Sequence, residues 1–186
     1  MNPRTLTLLA FMLFVAASRI LFSCTSEMAP FSNFTPIGAM ALFGGAYFSR
    51  YKSFAFPLLT LCLSDIVLNF VLYHEWRLLY EGFYWTYGAF ALMTVVGKLM
   101  QPNKSVQNFV LSTLTIVMIH WIVTDMGVWL EDNLYPPTIK GLWTCLAAAI
   151  PFEINFLAGT VIYGAILFGN FEWLKKYFKS LNVNIA

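Results

Sequence analysis

The chain has 186 residues, of which 59% are hydrophobic and 11% charged, with a formal net charge of +2. Soluble domains carry about 45–50% apolar and about 25% charged residues, so a water-soluble globule of this size has nowhere to bury the excess. One polytopic membrane domain over residues 1–186 accommodates it, because each spanning helix uses about 20 mostly apolar residues.

In chain order, the apolar runs are Thr5 to Ser23, Phe34 to Phe48, Ser53 to Tyr73, Phe83 to Met100 and Val106 to Thr124. A sixth and longer run, Gly141 to Gly169, contains Pro151. These predict an all-α fold of six transmembrane helices, the last kinked or broken at Pro151. The first run could be read as a cleaved signal, but Arg19 sits where a cleavable apolar region stays uncharged. Short-loop Lys and Arg then set the orientation. With both termini cytoplasmic, Arg4, Arg50, Lys52, Lys98, Lys104, Lys175, Lys176 and Lys179 face inside, against Arg77 and Lys140 outside. The expected location is a bacterial inner membrane.

Several function classes are excluded at this level. No basic run exists that would grip a phosphate backbone, so no nucleic-acid partner is expected. Cys24, Cys62 and Cys145 are scattered, without metal-ligand spacing. Neither a phosphate-binding P-loop nor a dinucleotide turn is present. No cofactor is expected, and any nucleotide-driven step needs a partner.

The informative residues are the polar ones inside apolar runs, where a charge costs about 2.5–3.5 kcal/mol on insertion scales. Arg19 lies about 14 residues up its helix and Asp65 about 12 residues up the third, roughly 21 and 18 Å at 1.5 Å per residue. Similar depth predicts an Arg19–Asp65 ion pair. Glu153, close to Pro151, falls in the same outer half. Asn33, Thr35, Asn69, His120, Trp121, Asp125, Trp129 and Asn155 map there too, whereas the inner halves hold little that is strongly polar. Together these residues form the predicted substrate-binding set of an outward-opening pocket, with no catalytic member. The stretch Asp125 to Lys140 reads as a loop carrying Trp129, either a lid or an interfacial segment. A purely structural reading is open as well: the ion pair could only fix helix register, and the tryptophans could only form an interfacial belt. Ala41 and Gly45, four residues apart, suit close helix packing.

The blocks NFTPIGAMALFGGAYF (Asn33 to Phe48), FPLLTLCLSDIVLN (Phe56 to Asn69), GVWLEDNLYPPTIKGLWTCLAAAIPF (Gly127 to Phe152) and LFGNFEW (Leu167 to Trp173) resemble a family of uncharacterised bacterial multi-pass membrane proteins described as transport proteins. Its architecture is similar to the substrate-binding S components of energy-coupling-factor (ECF) vitamin transporters. That likeness implies six helices, both termini inside, an outward pocket closed by loops, and separate ATPase and coupling subunits. The first helix, LLAFMLFVAASRILF, lacks the Ala-x-x-x-Ala surface that many S components present to their coupling subunit.

Three functions compete. The leading expectation is a substrate-binding membrane subunit of a small-molecule, vitamin-like importer, energised by a partner. The alternative is a membrane scaffold or assembly protein whose polar cluster is structural. An intramembrane enzyme is the weakest, because Ser64, Cys62 and His120 lack any framing motif that pairs nucleophile with base.

Overall fold

The computed structural model describes residues 3–23, 33–74, 76, 82–131 and 134–182. Six α-helices follow one another: α1 (Pro3–Ser23), α2 (Ile37–Tyr47), α3 (Lys52–Tyr73), α4 (Phe83–Leu99), α5 (Val106–Glu131) and α6 (Ile139–Tyr177). A short 3-10 helix, Lys179–Asn182, follows α6, and among the described residues there is no strand.

Four of the helices (α1, α3, α5 and α6) are long and apolar enough to cross a membrane. They also turn large apolar side chains outward, among them Leu13 and Phe14 on α1, Leu59 and Leu63 on α3, Leu111 and Leu114 on α5, and Ile154 and Ile162 on α6. Helices apolar on every face belong either in a protein core or in lipid, and here the outward faces need lipid.

The centre of the bundle is α2. All eleven of its residues are buried, and it packs against α3, α4, α5 and α6. At 1.5 Å per residue it is about 16 Å long, well short of a hydrocarbon core of about 30 Å. The fifteen-residue run expected from the sequence is therefore a shorter helix with non-helical ends, because Pro36 precedes it and Phe48 after it is extended. Such ends are tolerable at membrane depth only when enclosed by protein. Gln101 supplies part of that enclosure, its Nε2 donating to the Gly45 and Phe48 carbonyls at 2.9 Å each.

Close approach of α2 and α4 depends on glycine. A Cβ on Gly45 would lie 2.3 Å from the Thr94 carbonyl oxygen, and one on Gly97 would lie 2.5 Å from the Leu42 oxygen. The packing role expected for Ala41 and Gly45 is realised in this contact. Beside it, Phe43, Tyr47, Phe168 and Phe171 interlock with ring centroids 4.7–5.7 Å apart.

Two expected boundaries move. Helix α5 continues to Glu131, so Trp129 stands on a helix rather than on a long loop. Tertiary support explains the extension: the indoles of Trp85 and Trp129 hold this end through Glu131 Oε1 and the Pro136 carbonyl. Helix α6 begins after Thr138, whose hydroxyl caps Gly141 N at 3.1 Å, and runs continuously through Pro151. It does not restart there. Cys24, Arg77 and Asp132 lie outside the described residues.

The start of α1 and the 3-10 helix share one end of the bundle, where Arg4 donates to the carbonyls of Leu181 and Tyr47 at 3.1 and 3.3 Å. The opposite end gathers the α5–α6 connection and the segment before α2.

Candidate functional site

The polar residues singled out in the sequence separate into two groups. The first lies between α1, α3 and α4. Arg19 Nη1 stands 2.6 Å from Asp65 Oδ1, both side chains largely out of solvent. Asp65 accepts a second hydrogen bond from the Tyr87 hydroxyl at 2.9 Å, through Oδ2. Arg19 also donates to Ser64 Oγ, which in turn donates to the Leu61 carbonyl at 2.8 Å. The expected pair therefore forms, inside a four-residue network whose members Ser64 and Tyr87 carry no sequence signal for it. Asn69 follows Asp65 by one turn of α3 and is half-buried.

The second group lies at the α5–α6 end. A cavity of about 230 Å³ is lined by Asn33, Thr124, Asp125, Val128, Leu134, Tyr135, Cys145, Ala148, Ala149, Phe152 and Glu153. The α6 members recur at 145, 148, 149, 152 and 153, one face of a helix. Helix α5 contributes Thr124, Asp125 and Val128 from its facing turn. Just beneath, His120 Nδ1 meets Glu153 Oε1 at 2.8 Å, and the His120 ring stacks on Phe156 at 4.0 Å between centroids. Glu153 is 6% exposed. Its second oxygen, Oε2, is buried with no hydrogen-bond partner. A buried carboxylate oxygen left unpaired costs on the order of 1–3 kcal/mol or more, so this atom is the most conspicuous polar feature beside the cavity.

The remaining expected residues are placed as follows. Thr35 packs its backbone against Gly159, where a Cβ would lie 2.7 Å from the Thr35 oxygen. Trp121 donates to the Leu146 carbonyl at 2.9 Å, tying α5 to α6. Trp129 donates to Pro136 O at 3.0 Å and holds the α5–α6 connection. Asn155, half-buried, is two positions past Glu153 and so points off the cavity face of α6. The single expected pocket is thus divided: Asn33, Asp125 and Glu153 line the cavity with His120 beneath Glu153, while Arg19 and Asp65 do not line it.

The opposite end needs an amendment to the expectation of little polarity there. Buried Tyr47 donates its hydroxyl to Glu172 Oε1 at 2.5 Å, and Lys175 reaches both oxygens of Glu172 at 3.0 and 2.9 Å. Lys104 stands over the Tyr47 ring at 5.4 Å. Burial, and then the neighbouring Lys175, hold the Lys104 ammonium below its usual range. The sequence signal for this cluster was Glu172 three residues before Lys175, an ordinary helical pair.

No curated protein and no solved structure matches the chain significantly. A family profile covers almost all of it, residues 1–181. On that match the chain belongs to DUF6580, a family of unknown function.

Proposed function

We propose that this protein is the substrate-binding integral membrane subunit of a small-molecule, vitamin-like importer of the bacterial inner membrane, similar in plan to ECF S components. The observation that carries this reading is the cavity at the α5–α6 end, lined in part by Glu153, one of whose carboxylate oxygens is buried without a hydrogen-bond partner. Ligand pockets are concave and mostly apolar, with a few convergent polar groups, and this cavity has that composition.

In the proposed topology the chain crosses six times, with both termini cytoplasmic. The Lys and Arg count supports it, eight residues on the cytoplasmic side against Arg77 and Lys140 outside. The Arg4–Leu181 hydrogen bond, which joins the start of α1 to the 3-10 helix after α6, agrees with an even number of crossings between them. The short α2 then crosses with help from its non-helical flanks, enclosed by its neighbours. In this orientation the cavity opens outward. Lacking a nucleotide-binding motif, the subunit would draw on an ATPase and a coupling subunit for energy.

The test is ligand-dependent stability. The purified protein is screened by thermal shift against a vitamin and metabolite panel, since a ligand that binds only the folded state raises stability by mass action. A hit whose uptake is lost in Glu153→Gln at unchanged melting temperature supports the importer. An empty screen, with every cavity variant failing only in proportion to lost folded protein, supports a scaffold and overturns the proposal.

A further inference from the structure

The division of the polar residues changes what the cavity can accept. Had Arg19 shared it, an anionic or zwitterionic ligand would fit as well as any other. Arg19 instead stands 2.6 Å from Asp65, and among the described residues no Lys or Arg lines the cavity. The carboxylic side chains at its wall are Asp125 and Glu153, with His120 directly behind Glu153. Acidic groups from both α5 and α6 therefore converge on one cavity.

From this we infer that the cavity binds a small organic cation, a protonated amine with a compact apolar body, held by the carboxylates of Glu153 and Asp125. This rests on the importer reading and narrows its substrate class. Glu153 lines the cavity with acceptor capacity that the protein itself leaves unfilled. Charge-assisted hydrogen bonds of this kind are short and strong. The apolar residues Val128, Leu134, Ala148 and Phe152 offer the remainder of the ligand a matching surface. Its volume of about 230 Å³ is below the roughly 300–1,000 Å³ of pockets for drug-sized molecules, so the ligand is small. A bare metal ion fits less well, because among the described residues no three His, Cys, Asp or Glu side chains converge as a ligand set.

Cys145 provides a reporter inside the cavity, its thiol 3.5 Å from the Asp125 carbonyl oxygen. In full-length protein with Cys24 and Cys62 replaced by serine, Cys145 is treated with two methanethiosulfonates of similar size, one ending in ethylammonium and one in ethylsulfonate. Both rates are normalised to those with a small free thiol. The expected result is a preference for the ammonium reagent of about tenfold or more, the scale of one unit charge facing another across a few ångströms of partly wet protein. Glu153→Gln and Asp125→Asn should each shrink it, and benzylammonium should slow the labelling where benzoate does not. Equal rates, or a faster sulfonate, would overturn the cation inference while leaving an importer for another substrate standing. A Cys145 inert to both reagents in folded protein would mean a sealed cavity, and would overturn the importer reading with it.

Discussion

Arg19 on α1 and Asp65 on α3 form an ion pair at 2.6 Å, and the Tyr87 hydroxyl from α4 occupies the other oxygen of Asp65. Three helices are joined at one buried point. Removing one partner strands the other in a low-dielectric site, a loss of about 3–5 kcal/mol for buried pairs. Arg19→Ala and Asp65→Ala should each destabilise the protein on that scale. The double variant should lose clearly less than the sum. Additive losses in denaturant or thermal unfolding would show that the pair contributes nothing jointly. Tyr87→Phe should cost less than either, about 0.5–1.5 kcal/mol for one hydrogen bond.

Glycines divide by what a side chain would meet. Gly45→Leu and Gly97→Leu push atoms into the facing backbone of α4 and α2, which cannot swing aside as a side chain can. Both should reduce folded protein severely. Gly88 and Gly169, also within helices, have nothing within 4 Å of the point where a Cβ would stand. Gly88→Ala and Gly169→Ala should be neutral or stabilising by up to about 1 kcal/mol, from helix propensity alone. Fluorescence-detected melting of the four variants side by side checks the contrast.

Gln101 holds the end of α2 by donating to two carbonyls. Gln101→Leu keeps the bulk and leaves both acceptors without this donor. A loss of about 1–3 kcal/mol is expected. Faster hydrogen exchange should appear at the end of α2 while the α5–α6 end is unaffected. Unchanged exchange there would show that the cap is dispensable.

Sidedness can be read by labelling. Single cysteines at Asn103 and Lys176, introduced after replacement of the three native cysteines, should resist a membrane-impermeant thiol reagent in intact cells. Cysteines at Leu134 and Lys140 should react. Labelling at Asn103 without permeabilisation would overturn six crossings with cytoplasmic ends.

Much of this protein was legible in its sequence because membranes impose simple constraints. A run of apolar residues must become a helix where no water can satisfy its backbone, so the six helical segments follow from composition and spacing. The cost of burying a charge made Arg19 and Asp65 seek each other, and equal depth was enough to pair them. Gly45 was similarly readable, because small residues four apart mark close helix contact.

The tertiary structure decided what one-dimensional depth could not. Depth places residues in the same slice of the membrane but leaves open which helices are neighbours around the bundle. Asp65 and Glu153 therefore looked like members of one pocket, whereas helix packing puts one with Arg19, Ser64 and Tyr87 and the other with His120 beside the cavity. Partners such as Ser64, Tyr87 and Glu131 are unremarkable in sequence and acquire a role only from the side chain opposite them. The extension of α5 to Glu131 depends on contacts with Trp85 and Pro136, which lie on other elements. Helix periodicity and burial cost are local properties that the chain carries with it, while angular position around a bundle is settled only when all the helices pack at once.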